Sequence, residues 1–155
     1  MSTNIVSYTD ILEIKSELGI QQDSNGQWIM WQIPIDGEVL QHYTSQANEQ
    51  TTTMFGDLSG NALLYALAKQ YATKWASLRI VQTMTINWQI SGMQMGLGNL
   101  NINRLPALQA AAQMVTARLT EDLNNIYVKL CDVSVVNSYT TTSPYIQSKG
   151  GWFWP

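Results

Sequence analysis

Two stretches of this chain repeat large apolar residues at steps of three and four. The first carries Leu64, Leu67, Tyr71, Trp75 and Leu78; the second carries Leu108, Ala112, Val115, Leu119, Leu123, Ile126 and Leu130. That spacing lines one face of a helix, so it predicts long helices from about residue 60 to 82 and from about 106 to 131. Lys69, Gln70, Thr73 and Ser77 fall off the first stripe, and Arg118, Glu121, Asp122 and Lys129 fall off the second. Neither stripe can be hidden alone. The two helices should pack side by side, with Leu64, Leu67, Tyr71 and Trp75 meeting Leu108, Ala112, Val115 and Leu119. Ser59 is the expected cap of the first, and Pro106 suits the first turn of the second.

Two shorter helices are predicted ahead of them. Thr9 can cap one whose apolar side is Ile11, Leu12, Ile14 and Leu18 and which Gly19 stops. The other begins near Asp36, repeats Leu40, Tyr43, Ala47 and Met54, and closes at Gly56. Thr51, Thr52 and Thr53 make it a poor helical ending, because β-branched side chains lose rotamer freedom there. Between the two, Asp23-Ser24-Asn25-Gly26 reads as a turn. Residues 27–33 come next as a short strand or extended arm ended by Pro34.

Residues 85–90 alternate like a strand, Gly92, Gly96 and Gly98 punctuate the adjoining stretch, and residues 99–103 alternate again. A β-hairpin or long projecting loop is therefore expected near 83–103, leaning on a helix or on another subunit. After Cys131 the chain turns β-branched and rich in Thr and Ser, and Pro144 bars a helix. The fold class expected is mainly α: a small bundle of about four helices, with the hairpin or long loop between the third and fourth and an extended C-terminal tail. Residues 1–131 would form the helical domain and 132–155 the tail.

Composition narrows the function classes. Only 12% of the 155 residues are charged, against roughly a quarter in an ordinary soluble domain. Residues 80–103 and 133–148 hold no Asp, Glu, Lys, Arg or His. They are rich in Asn, Gln, Ser, Thr and Gly, so they do not read as core. Uncharged polar surface interleaved with Trp, Tyr and Met suits a face that lies against other protein. A net charge of −3 with eight scattered basic residues argues against a general nucleic-acid binder, which needs clustered Lys and Arg. The lone Cys131 excludes an internal disulfide framework. The start of the sequence lacks the pattern of a signal peptide, and no stretch approaches the ~18 to 20 apolar residues of a membrane span.

No catalytic, cofactor or metal set emerges. The single His42 and Cys131 lie in separate elements, and no His/Cys cluster or calcium-type carboxylate loop is present. Glu13 with Glu17, and Glu121 with Asp122, read as solvated helix faces with Lys15 and Lys129 nearby. Residues 92–98 superficially resemble a phosphate loop but lack its Gly-Lys-Ser/Thr ending. Large side chains outside the predicted helices are better interface anchors. The candidate partner interface is therefore Trp88, Met93, Met95, Trp152, Phe153, Trp154 and Pro155.

The order of elements, with Asp10-Ile11-Leu12-Glu13-Ile14-Lys15-Ser16-Glu17-Leu18-Gly19-Ile20 in the first helix, resembles a known family. Ala68-Lys69-Gln70-Tyr71-Ala72-Thr73-Lys74-Trp75-Ala76 lies in the long helix, and Gly98-Asn99-Leu100-Asn101-Ile102-Asn103 precedes the last. The chain is similar, from about residue 8 to 130, to the head-to-tail connector (adaptor) proteins of tailed viruses. The resemblance implies a non-enzymatic structural protein of the virion neck, made in the host cytoplasm. It implies a homo-oligomeric, typically twelve-fold, ring between the portal protein and a stopper or tail protein. DNA would pass through that ring without sequence-specific binding, and no membrane or cofactor is involved. The competing expectations are a tail-completion or terminator subunit, and a small binding module for a peptide or small ligand.

Overall fold

The computed structural model describes the backbone at residues 4–31, 33–95 and 105–142, and side chains at 4–31, 33–86 and 106–132. Four helices and three short strands are arranged in the order α1 (Ile11–Leu18), β1 (Gln21–Gln22), β2 (Trp28–Met30), β3 (Ile33–Ile35), α2 (Gly37–Phe55), α3 (Ala62–Met95) and α4 (Leu105–Thr142). The protein is a mainly helical bundle with a small antiparallel sheet between its first two helices.

Short polar side chains decide where the helices start. The Asp10 carboxylate accepts from the Glu13 N–H (2.8 Å) and Asp36 from that of Glu38 (3.0 Å), and Asn61 accepts from Leu63 and Leu64 (3.1 Å each). Each satisfies donors that a first helical turn leaves without intrahelical partners. The caps of α1 and α3 are thus Asp10 and Asn61 rather than Thr9 and Ser59. Thr9 is buried instead, its hydroxyl 2.7 Å from that of Thr73. Gly19, at φ 66°, ends α1 in the left-handed conformation that glycine adopts without steric cost.

The strands form a meander, β1-β2-β3, with Gln22 opposite Trp28 and Met30 opposite Ile33. The Asp23 carboxylate shapes the first turn by accepting from Asn25 (2.9 Å) and Gln27 (2.8 Å). Pro34 does not end the extended segment but sits within β3, an edge strand where a missing N–H is tolerated. The connection from β2 to β3 is only two residues long, which puts Trp31 at φ 52°. Positive φ at a bulky residue is a conformation that the surrounding structure must impose.

α3 is the axis of the molecule, packed by α1, α2 and α4, with its most extensive contact along α4. Its buried side is Leu64, Ala68, Tyr71, Ala72, Ala76, Ile80, Val81 and Met84, facing a buried stripe of Ala112, Leu119, Leu123, Ile126 and Leu130 on α4. Leu67, Trp75 and Leu78 of the sequence-derived stripe are only half-buried. A helix covered on several sides buries alanines, which let neighbours approach but weigh little in a hydrophobic pattern. Thr52 does not weaken the end of α2: it is buried, and its hydroxyl accepts from the Val6 N–H (3.0 Å).

Two boundaries differ from the sequence reading. Residues 83–95, expected in a hairpin or loop, continue α3 as helix. Val81 and Met84 extend the buried face, and the Thr85 hydroxyl donates to the Val81 carbonyl (2.8 Å), a contact available only to a helix. The remaining hairpin positions, 96–103, lie outside the described residues. Residues 132–142, expected as extended tail, are the last turns of α4. Propagating an existing helix adds one hydrogen bond per residue, and the penalty of Val or Thr is at most about 0.7 kcal/mol each. The rest of the tail, 143–155, also lies outside the described residues.

Residues 6–9 form a strap across α2 and α3. Asn48 is its anchor: the side-chain oxygen accepts from the N–H groups of Tyr8 (2.8 Å) and Thr9 (2.9 Å), and its amide donates to the Thr9 carbonyl (3.0 Å). Tyr8 is fully buried; its hydroxyl donates to the Gly56 carbonyl and accepts from the Leu58 N–H (3.0 Å). From α3, the Tyr65 hydroxyl donates to the Ser7 carbonyl (3.0 Å).

Candidate functional site

The polar faces of α1, α3 and α4 converge on an open groove of about 700 Å³. Glu13 and Glu17 stand one turn apart on α1 and meet Lys69 and Lys74 of α3: Lys69 pairs with Glu13, and Lys74 with Glu17 at 2.7 Å. α4 adds Asp122, 3.1 Å from Lys74, and Arg118, 3.3 Å from Glu17. Ser16, Ala66, Gln70 and Thr73 complete the lining.

Lys74 is the hub. Partial burial disfavours its charge, but hydrogen bonds and attraction from Glu17 and Asp122 outweigh that and hold its ammonium above the ordinary lysine range. The Glu13 carboxylate raises Lys69 in the same way. Amines held protonated are poor nucleophiles and poor bases. Each cation already faces a carboxylate, so the groove is charge-balanced rather than an anion receptor. Its chemistry is that of a clamp joining three helices. Among the described residues, no three His, Cys, Asp or Glu side chains are grouped to hold a metal ion.

The two carboxylate pairs seen in the sequence therefore separate. Glu13 and Glu17 serve the clamp rather than forming a solvated face, and of the second pair only Asp122 joins them. Lys15 instead lies over the Trp28 ring, 3.0 Å from its centroid, a cation–π contact tying α1 to the sheet. The signal for the clamp is present in the sequence but faint: charges one turn apart on separate helices, with the sign reversed between α1 and α3.

Of the candidate interface residues, Trp88, Met93 and Met95 belong to α3 rather than to a loop; their side chains lie outside the described residues. So do Trp152, Phe153, Trp154 and Pro155 in their entirety. His42 is exposed on α2, its ring 5.2 Å from that of Tyr43, and Cys131 is a half-buried free thiol on α4. Among the described residues, no helix is long and apolar enough to cross a membrane. Comparison with protein families, with curated proteins and with solved structures finds no match.

Proposed function

We propose that this protein is a non-enzymatic assembly subunit: a head-to-tail connector of a tailed virus, forming a ring in the virion neck between the portal and a stopper or tail protein. The observation that carries this reading is the reach of two long helices that share an uncharged end. α3 and α4 contain 34 and 38 residues, or about 51 and 57 Å, whereas α2 has 19. Residues 80–103, at the end where α3 and α4 approach each other in sequence, carry no charge. A long two-helix arm with an uncharged polar end is suited to contact with a neighbouring subunit or the next ring. A clamp that neutralises its own lysines also leaves little free positive charge to grip DNA passing through such a ring.

Mass measurement of the purified chain, alone and mixed with a portal ring, tests the proposal. The expected result is a closed oligomer, formed either alone or on the portal. A 17.4 kDa monomer that never joins the portal would overturn it. Truncation after Lys149 should leave the thermal midpoint of the isolated fold nearly unchanged while weakening assembly of the ring on the portal.

A further inference from the structure

The end of α2 and the middle of α4 present a sulfur–aromatic surface that the described residues leave partly uncovered. The Tyr71 hydroxyl donates to the Met54 sulfur at 3.7 Å. Phe55 stands edge-on to Tyr71, with centroids 5.3 Å apart at 85°, and lies 6.0 Å from Tyr127. Tyr71 is buried, but Met54 is 41% exposed, Tyr127 43% and its neighbour Val128 55%. Scattered exposed apolar residues are normal; a cluster of soft and aromatic side chains marks a surface that something covers.

We propose that this surface on one copy of the chain receives the Trp152-Phe153-Trp154 segment of a second copy. Three observations select that occupant. First, the chemistry matches: residues 133–148 carry no charge, and the segment offers aromatic rings that pair edge-to-face with tyrosine and stack on methionine sulfur. Second, the area suffices. Three such rings bury about 450 to 750 Å² in all, close to the roughly 800 Å² that each partner contributes to a standard interface. Third, α4 carries the chain onward. Thr142 lies fifteen residues past Tyr127 on one helix, about 22 Å away along its axis. The ten residues from there to Trp152 span at most about 36 Å, enough to reach a neighbour, whereas docking on its own Tyr127 needs a reversal and about 22 Å of return along the helix. One patch receiving a different patch is a heterologous contact, which closes into a ring when the rotation permits. The inference deepens the self-assembly reading above and rests on it.

The lone cysteine supplies the test. Cys131 lies one turn beyond Tyr127, within hydrogen-bonding reach of its hydroxyl. Ser148→Cys places a second thiol just before the aromatic segment. Mild oxidation of the full chain should then give a ladder of disulfide-linked dimers, trimers and higher species on a non-reducing gel. Adding Cys131→Ser should stop the ladder at dimers. Adding Tyr127→Asp to Ser148→Cys should cut ladder yield by about tenfold, the effect of a loss near 1.4 kcal/mol, with the circular dichroism of the helices unchanged. A fast-migrating, internally linked monomer would overturn the proposal, as would a ladder indifferent to Tyr127→Asp. Sedimentation of the wild-type chain, alone and with a portal ring, separates two failures: an oligomer without tail-to-patch disulfides sinks the docking alone, whereas a chain that stays monomeric in both sinks self-assembly as well.

Discussion

The strap and the clamp both hold α3 to other parts of the chain, yet they use opposite physics. The strap inserts a buried tyrosine and satisfies backbone groups with one asparagine. The clamp sets charges against charges at a groove where the side chains of Lys74 and Glu17 are each 21% exposed. A buried polar group that loses its partner costs about 1 to 3 kcal/mol, whereas an ion pair at an open groove, partly buried but still reached by solvent, is worth about 1 kcal/mol. The strap should therefore fix whether the molecule folds, and the clamp how α1 is oriented on α3 and α4.

Asn48→Ala is the sharpest test. It strands two N–H groups and one carbonyl, all buried, and should lower stability by about 3 to 5 kcal/mol in urea titration. A loss under about 1 kcal/mol would place the strap among loosely held termini. Leu119→Ala gauges the α3–α4 interface that serves both regions: Leu119 is fully buried, and the expected cost is about 2 to 5 kcal/mol. Tyr8→Phe keeps the ring but abandons the Gly56 carbonyl and the Leu58 N–H. A loss of about 1 to 2 kcal/mol is expected.

The clamp should respond less, and differently. Lys74→Met removes the hub and should cost about 1 kcal/mol or less. Much of that difference should vanish in 1 M salt, where the screening length falls to about 3 Å. The Asn48→Ala deficit should survive the same salt. Alkali, by contrast, does not distinguish the regions. Burial raises the Tyr8 phenol, and Glu17 with Asp122 raise Lys74 against the opposing effect of its burial. In both cases the folded state holds the proton more tightly than the unfolded one. Both contributions are thus intact below about pH 10 and lost as pH climbs through the raised values. A thermal-melt series across that range, at low and high salt, checks both statements.

The same contrast explains what the sequence disclosed. Asp36, Gly19 and Gly56 punctuate locally, and the expected cap Thr9 is one residue from the true one, Asp10, so α1 and α2 are legible to within a residue or two. The α4 stripe is legible because its large apolar residues point one way. The features that escape are non-local. Asn48 is an unremarkable residue in a helix until residues 8 and 9 arrive from forty positions away, and Glu17 meets Arg118 across 101 positions. The continuation of α3 through residues 83–95 is hidden for another reason. Thr85 and Ile86 favour strands locally, and only the face begun at Ile80 and Val81 overrides them.

The strap also imposes an order on synthesis. Residues 6–9 leave the ribosome well before their partners Asn48, Thr52, Tyr65 and Thr73. At about 5 to 20 residues per second, the wait from Thr9 to Thr73 lasts roughly 3 to 13 seconds. During that interval residues 6–9 have no receptor, and Tyr8 is open to capture by a chaperone or by a neighbouring polypeptide. The strap is therefore made early and seated late.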